Sequence, residues 1–577
     1  MADDRKMFLP MTRAEMAARG WEELDVLLIT GDAYVDHPSF GAAVIGRVLE
    51  AEGWHVGIIS QPDWTNPESL TAMGRPRLFA GVTAGNIDSM LSHYTAARRK
   101  RKEDVYSPGG QTGLRPNLPS VVYTQLAKKV FPGIIVALGG LEASMRRTVH
   151  YDYWQDRLRP SILQDSKAEL LMYGMGEHSV REIARRLNAG EPLAGIRGTA
   201  RLLGGKESAA RDFSDAVILP SYEECAADKK ALLETTRLTE REQNPFCGRP
   251  LVQFHGARAL LMEPPAPPLT PAELDAVYAL PFARAPHPSY KEEIPAFTMI
   301  QNSITVVRGC GGGCTFCGLG LHQGRFLTSR SEESVVREIR ALTRTPEFRG
   351  TVSDLGGPTA NLYGCRNGVD EACKTCRRAS CLFPAICPHL KLDAGAAIHL
   401  MRRVRSLENV NHVFIQSGIR MDVALRHPEY IRELAQHHVS GHLKVAPEHM
   451  HPDVLKKMRK PAPEIFCRFQ EAFAAESRRA GKKQYLVPYF ISNFPGSTET
   501  EMNAVEKFVL NEQWKLQQVQ DYIPLPMTPA AAVYYTGLDY ETGEPVPVIR
   551  GLAARRKQMK QLRPHTGKMN RRKANRQ

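Results

Sequence analysis

Three cysteines carry the clearest chemistry in this chain. The segment RGCGGGCTFCGLGLHQGR sets Cys310, Cys314 and Cys317 at a C-x3-C-x2-C spacing. Thiolates are the usual ligands of iron–sulfur clusters. Three of them on a four-iron cluster leave one iron without a protein ligand, and an open position of that kind can take a substrate or cofactor. Gly309, Gly311, Gly312, Gly313 and Gly318 surround the cysteines, so the backbone can wrap closely around a bulky group. A structural zinc site wants a fourth ligand. The nearest candidate, His322, stands beyond two glycines. A disulfide is disfavoured where thiols are kept reduced.

A second set follows in GCRNGVDEACKTCRRASCLFPAICPH, which holds Cys365, Cys373, Cys376, Cys381 and Cys387. Two readings stay open. One is an auxiliary iron–sulfur cluster that relays electrons or ligates substrate. The other is a structural zinc knot that folds a loop with little core of its own. Lys374, Arg377 and Arg378 would stabilise thiolates in either case. Cys225, Cys247 and Cys467 stand alone and read as structural.

The elements that must position these groups show in the hydrophobic pattern. In residues 1–205 short apolar runs (DVLLIT, HVGIIS, LFAGVT, GIIVALGG, ELLMYGMGE) alternate with amphipathic stretches. Continuous apolar strands between helices predict a parallel sheet covered on both faces. The fold class is α/β, and this first domain is Rossmann-like and doubly wound. Asp32, Asp36 and His37 follow the first strand, and Gly139, Gly140 and Glu142 follow the fourth. Ligands bind at such ends, but no GxGxxG is present, and ordinary turn chemistry accounts for these residues. Residues 206–295 read as a helical and proline-rich connector, with one short helix capped by Thr270. Residues 296–545 show six more strands (ITVVRG, TVSDLGG, HVFIQSG, GHLKVAP, YLVPYFIS, VQDYIPLP) separated by helices. They predict a partial (β/α)6 TIM-type barrel carrying a cysteine-rich insertion at 363–390. Function in such barrels collects at the carboxyl ends of the strands.

CGGGCTFC resembles the signature of the radical S-adenosylmethionine superfamily, including the aromatic Phe316 before the third cysteine. DLGGPTAN is similar to that superfamily's glycine motif, with Gly356 and Gly357 matching and Pro358 replacing the usual acid. FISNFPG is similar to its turn near adenine, and YIPLPMTPAA to a strand end of its methylthiotransferase branch. HPSY, SCLFPAICPH and APEH extend the likeness to the YgiQ-type subfamily. The resemblance implies a [4Fe–4S] cluster on Cys310, Cys314 and Cys317, with S-adenosyl-L-methionine on the fourth iron. It implies reductive cleavage to a 5′-deoxyadenosyl radical that abstracts hydrogen from a substrate it does not name. Ser417, Arg420, Lys444 and Glu448 lie at strand ends suited to ribose or carboxylate contacts; the alternative is a polar layer over the barrel mouth. Cobalamin in the first domain is a rival reading, because similar sheet domains precede some radical barrels, but no D-x-H-x-x-G run follows the first strand. A non-catalytic iron–sulfur or zinc module is a third, which leaves the glycine motif unexplained.

The formal charge of +14 is uneven. Residues 551–577 hold ten Lys and Arg and no acid, which leaves about +4 for the rest. The stretch 546–577 reads as a basic disordered tail. It would attract RNA or another polyanion, or serve only as a solvated end. The opening residues lack a continuous apolar signal region, and no run reaches the roughly 20 apolar residues that span a bilayer. A cytoplasmic protein without membrane contact is expected, served by an electron donor such as flavodoxin or ferredoxin.

Overall fold

The computed structural model describes residues 7–514, 516 and 519–563. The chain forms two compact units. The first comprises Met1–Gln301 with two short pieces, Leu321–Gly324 and Lys374–Arg377; the second takes the rest.

The first unit is built on one nine-stranded sheet. Its strands are β1 (Val26–Thr30), β2 (Val56–Ser60), β3 (Phe79–Thr83), β4 (Ile135–Gly139), β5 (Leu170–Met172), β6 (Thr199–Leu202), β7 (Val217–Leu219), β8 (Leu251–His255) and β9 (Arg258–Met262). The spatial order is β7-β8-β9-β6-β5-β4-β3-β1-β2. From β2 through β5 every pair is parallel. The order 2-1-3-4-5 is doubly wound, with its switch point between β1 and β3.

The apolar runs become strands because both faces are covered. Val26 and Leu28 enter one core, while Leu27 and Ile29 enter the other. Helix α1 (Gly41–Ala51) buries Val44, Val48 and Leu49 in the first core. Helix α2 (Pro119–Val130) buries Tyr123 and Ala127 in the second. Helix α3 (Glu177–Ala189) returns to the first core with Val180 and Ile183. Each buried Leu or Val contributes about 1.5–3 kcal/mol.

The segment 206–295, read as a connector, differs from that expectation. It supplies β7, β8 and β9 to the same sheet. LVQFHGARALLM folds as an antiparallel hairpin, turned at Gly256 with φ 58°. The flanking prolines mask this alternation in the sequence. The predicted helices are present as α4 (Lys229–Arg241) and α5 (Pro271–Tyr278). Thr270 caps α5 in a reciprocal box with Glu273.

The second unit holds β10 (Ser303–Thr305), β11 (Thr351–Val352), β12 (Asp354–Gly356), β13 (His412–Val413), β14 (His442–Glu448), β15 (Tyr485–Ser492) and β16 (Val519–Asp521). β10 pairs in parallel with β12, and β11 with β13; β14, β15 and β16 pair in parallel in that order. Helices α6 (Glu332–Leu342), α7 (Ala394–Arg405), α8 (Pro428–His437), α9 (Pro463–Arg479) and α10 (Glu499–Asn511) alternate with the strands. Their apolar faces share one core with Ile304, Leu355, Val413, Leu443 and Phe490. This is the partial barrel of repeated βα units.

The basic tail is not wholly without structure. Helix α11 (Leu552–Gln561) lies within it. Arg555, Gln558 and Leu562 are buried, and Leu562 joins the core. These positions recur at helical spacing and form one inward stripe, which the dense charge on the other face conceals. Residues 564–577 of the tail lie outside the described residues.

Candidate functional site

The cysteine loop leaves β10 through Val307–Arg308, which pairs antiparallel with Thr328–Ser329 and closes the loop at its base. Gly309 has φ 86°, and a Cβ there would stand 1.9 Å from the Phe326 carbonyl oxygen. Gly313 has φ 62°, and its Cβ would stand 2.6 Å from the Ala379 carbonyl oxygen. Both approaches are open only to glycine. The insertion grips the loop from one side. Ser380 Oγ lies 2.8 Å from the Gly312 carbonyl, and the Cys381 N–H donates to the Gly311 carbonyl at 2.9 Å. Thr315 fastens the other side, its Oγ1 donating to the Lys457 carbonyl at 2.8 Å.

The thiols face a buried cation. A Cβ on Gly312 would lie 3.4 Å from Cys310 Sγ, 3.7 Å from Arg420 Nη1 and 3.8 Å from Cys314 Sγ. Arg420 Nε and Nη2 donate to the two oxygens of Asp422 at 2.9 and 2.6 Å. Its backbone is clasped by Asn361 in both directions, at 2.8 and 2.9 Å. Burial opposes the Arg420 charge, but Asp422 and the Cys314 and Cys310 thiols outweigh it and raise its pKa. Burial pushes the Cys314 thiol up, against Lys460 and Arg420, which draw it down. Burial, with Cys314 beside it, pushes Cys317 up to about 12.

A second buried charge pair closes this group. Glu448 ends β14 with φ 67°, a conformation that costs about 1–3 kcal/mol in a residue with a side chain. Its Oε1 lies 3.6 Å from Lys460 Nζ. Burial raises the Glu448 pKa, and Lys460 lowers it.

Gly356 lies under Ser417. A Cβ on Gly356 would stand 2.2 Å from Ser417 Oγ and 2.9 Å from Asp354 Oδ2. Asp354 accepts from the Gln416 and Ser417 N–H groups at 2.8 and 3.0 Å, and from the Ser417 hydroxyl. Gly357 is held against the Val307 carbonyl, 2.5 Å from its Cβ position. Lys444 stands on β14, separated from the strand's end by a register irregularity between Val445 and Glu448.

The predicted residues Cys310, Cys314, Cys317, Arg420 and Glu448 therefore gather, and Gly356 gathers with Ser417. Asp354, Asn361, Ser380, Asp422 and Lys460 complete the arrangement without having been singled out from sequence. Asp354 opens the DLGG motif and Asp422 lies two residues after Arg420. Their spacing was the only available signal.

Cys365, Cys381 and Cys387 sit in one small apolar cluster with Leu327, Leu362, Leu382 and Leu390. Burial raises the Cys365 pKa, which suits an inert thiol. Cys376 belongs to the first unit, its carbonyl accepting from Asn244 Nδ2 at 2.9 Å. Among the described residues no three His, Cys, Asp or Glu side chains are drawn together around a single ion.

The turn residues of the first unit are engaged by neighbouring side chains and backbone. Arg115, fully buried, donates to Asp32 Oδ1 at 3.0 Å and to both oxygens of Asp104 at 2.7 Å. Burial raises Asp32 to about 7, against the pull of Arg115. Asp36 pairs with Arg47. Burial holds the His37 pKa well below its usual value. Glu142 accepts from the Ser89 and Ser120 N–H groups at 3.1 and 3.2 Å. Gly140 has φ 84° beside Thr83, and Gly139 ends β4. Arg115 thus occupies the space by the switch point between β1 and β3.

Residues 8–303 match the model of the radical SAM N-terminal family, and residues 304–509 that of the radical SAM superfamily. A UPF0313 protein of Geobacter sulfurreducens is 51% identical over 547 residues, covering 94% of this chain and 90% of that protein. The UPF0313 protein YgiQ of Escherichia coli is 44% identical over 586 residues, covering 92% and 79%. The chain belongs to the UPF0313 family of radical S-adenosylmethionine proteins. It is a YgiQ-type radical S-adenosylmethionine enzyme, whose cofactors are a [4Fe–4S] cluster and S-adenosylmethionine. Enzymes of this class draw on an electron donor. Among solved structures, TsrM of Kitasatospora setae aligns over 88% of this chain and 76% of its own, at 15% identity and a TM-score of 0.48. Among the described residues no helix is long and apolar enough to cross a membrane.

The residues present fit the cluster. Three thiols on one glycine-wrapped loop match the donor set, and two buried cations stand ready to balance thiolate charge.

Proposed function

We propose that Cys310, Cys314 and Cys317 hold the [4Fe–4S] cluster, and that the chain uses it to act on a C–H bond of a substrate still to be found. The observation that carries this is the position of Arg420 Nη1 beside the Cys310 and Cys314 thiols, over the Gly312 cradle. When bound, the cluster and S-adenosylmethionine supply one-electron cleavage of the sulfonium to a 5′-deoxyadenosyl radical that abstracts hydrogen.

The chain's own part is to bind, orient and exclude water. Arg420 balances thiolate charge, and Asp422 holds its guanidinium in place. Gly356 is buried, its carbonyl accepting from the Val306 N–H at 2.8 Å, and half-buried Gly357 at the end of β12 offers the backbone that an amino group would meet. Asp354 orients Ser417 above that backbone. Lys460 and Glu448 place a buried cation and acceptor at the end of β14, suited to a carboxylate and ribose hydroxyls. Lys444 lies farther back on that strand, half-buried. The electrons come from a small donor of the flavodoxin or ferredoxin kind. The exposed charges of residues 551–563, among them Arg556 and Lys560, suit a polyanion such as RNA as the partner.

The test is anaerobic reconstitution with iron and sulfide, followed by dithionite and S-adenosylmethionine. The expected product is 5′-deoxyadenosine, absent from a chain with Cys310, Cys314 and Cys317 replaced by alanine. Equal product from that triple variant would refute the assignment.

A further inference from the structure

We propose that helix α11 is a brace for the cysteine loop and that Gln558 is its positioning residue. The inference rests on the reading that the loop holds a cluster.

The connection runs through three contacts. Gln558 is 1% exposed. Its Oε1 accepts from the Asn493 N–H at 2.7 Å, and its Nε2 donates to the Ser497 carbonyl at 2.7 Å. One amide therefore spans both ends of the turn Asn493–Ser497 that follows β15. Between those ends lies Phe494. Its ring meets Phe316 edge-on, with centroids 6.2 Å apart. Phe316 stands between Cys314 and Cys317.

The turn needs such a brace. Asn493 has φ 58° and Gly496 has φ 89°. A non-glycine residue in that region persists only where its surroundings over-determine it. The surroundings here come largely from α11. Asn493 Nδ2 donates to the Arg555 carbonyl at 3.1 Å and to Asp521 Oδ1 at 2.8 Å. Arg555, 2% exposed, donates to Asp521 Oδ1 at 2.6 Å and to the Tyr522 carbonyl at 2.5 Å. Tyr522 packs edge-on to Phe494, at 5.4 Å. A helix that serves only to fill the core would not direct two buried polar side chains at one turn. Leu562, buried at the end of the same stripe, fills the core with its side chain, and only its backbone N–H meets this group, donating to the Gln558 carbonyl at 3.3 Å.

Gln558→Met keeps the size of the side chain and removes both bonds. Leu562→Ala loosens the same helix without touching the turn. Both chains are reconstituted anaerobically in full length and matched by Tm. Two readouts follow: the rate of iron loss to a chelator, and the electron paramagnetic spectrum of the reduced cluster. Gln558→Met is expected to lose iron roughly tenfold faster than the unaltered chain and to show a shifted spectrum. Leu562→Ala should match the unaltered chain in both. If Gln558→Met does not fold, Gln558→Glu, which retains the acceptor for Asn493, is read by the same criteria. Unchanged iron loss in the Gln558 variant overturns the proposal, as does equal acceleration in Leu562→Ala. In either case an unaltered chain that keeps its iron leaves the cluster assignment standing. An unaltered chain that binds no iron at the loop overturns both.

Discussion

Arg420 places a buried cation near the Cys310 and Cys314 thiols. Two of its nitrogens are committed to Asp422, and the third is left beside two thiols. A lysine cannot hold both positions, because it is a point charge on a flexible stem. Arg420→Lys is therefore expected to cut 5′-deoxyadenosine formation by roughly tenfold while iron per chain stays near that of the unaltered protein. Iron assay and product chromatography on one sample check this; full product would contradict it. Gly356→Ala drives a methyl onto Ser417 Oγ and should cost about 1–3 kcal/mol of stability. Ser417→Ala in the same chain removes the nearest atom and should restore part of the loss, as a double-mutant cycle in urea would show.

The residue scale also fixes a pH dependence in the first unit. Burial lowers His150 to about 3, helped by Arg146, from an ordinary value of 6.5. The unfolded chain then binds a proton that the folded chain refuses. That contribution is fully present above pH 6.5 and is lost as pH falls toward 3. Asp32 acts oppositely, since its raised value favours the fold at lower pH. His150→Asn, which can keep the donation to the Thr148 carbonyl, should flatten the fall of Tm between pH 6.5 and 5. A slope identical to that of the unaltered chain would contradict the reading. Cys310, Cys314 and Cys317 were legible because ligand chemistry is local in sequence. Asp354, Asn361 and Lys460 were not, because each acts on a partner many residues away.

Strand ends and the loops that leave them decide what each unit can hold. The parallel order β2-β1-β3-β4-β5 creates a switch point, but Arg115 fills it and bridges Asp32 to Asp104. Removing that guanidinium leaves two carboxylates buried without a partner. Arg115→Met should therefore cost about 3–5 kcal/mol in urea denaturation, and Asp32→Asn with Asp104→Asn should recover part of it. A neutral effect would mean that the pair is better solvated than its burial implies. The long apolar runs of β1, β3 and β4 were legible, since strands buried on both faces carry no polar interruption. The hairpin of β8 and β9 was hidden by flanking prolines. Helix α11 was hidden by its charge, because only its buried stripe of Arg555, Gln558 and Leu562 separates it from a solvated tail.

At the scale of the whole molecule, two α/β units are encoded in one chain, and each contains its own sheet and core. The carboxyl ends of the second unit's strands carry the cysteines, the glycine motif, Arg420 and Glu448 together. The central claim is that this end grips a sulfonium through one incompletely ligated iron. Electron paramagnetic resonance of the reduced, iron-loaded protein tests it most directly, recorded with and without S-adenosylmethionine. The account predicts a changed cluster spectrum on addition, followed by release of 5′-deoxyadenosine. Identical spectra, with the sulfonium intact after strong reduction, would contradict it.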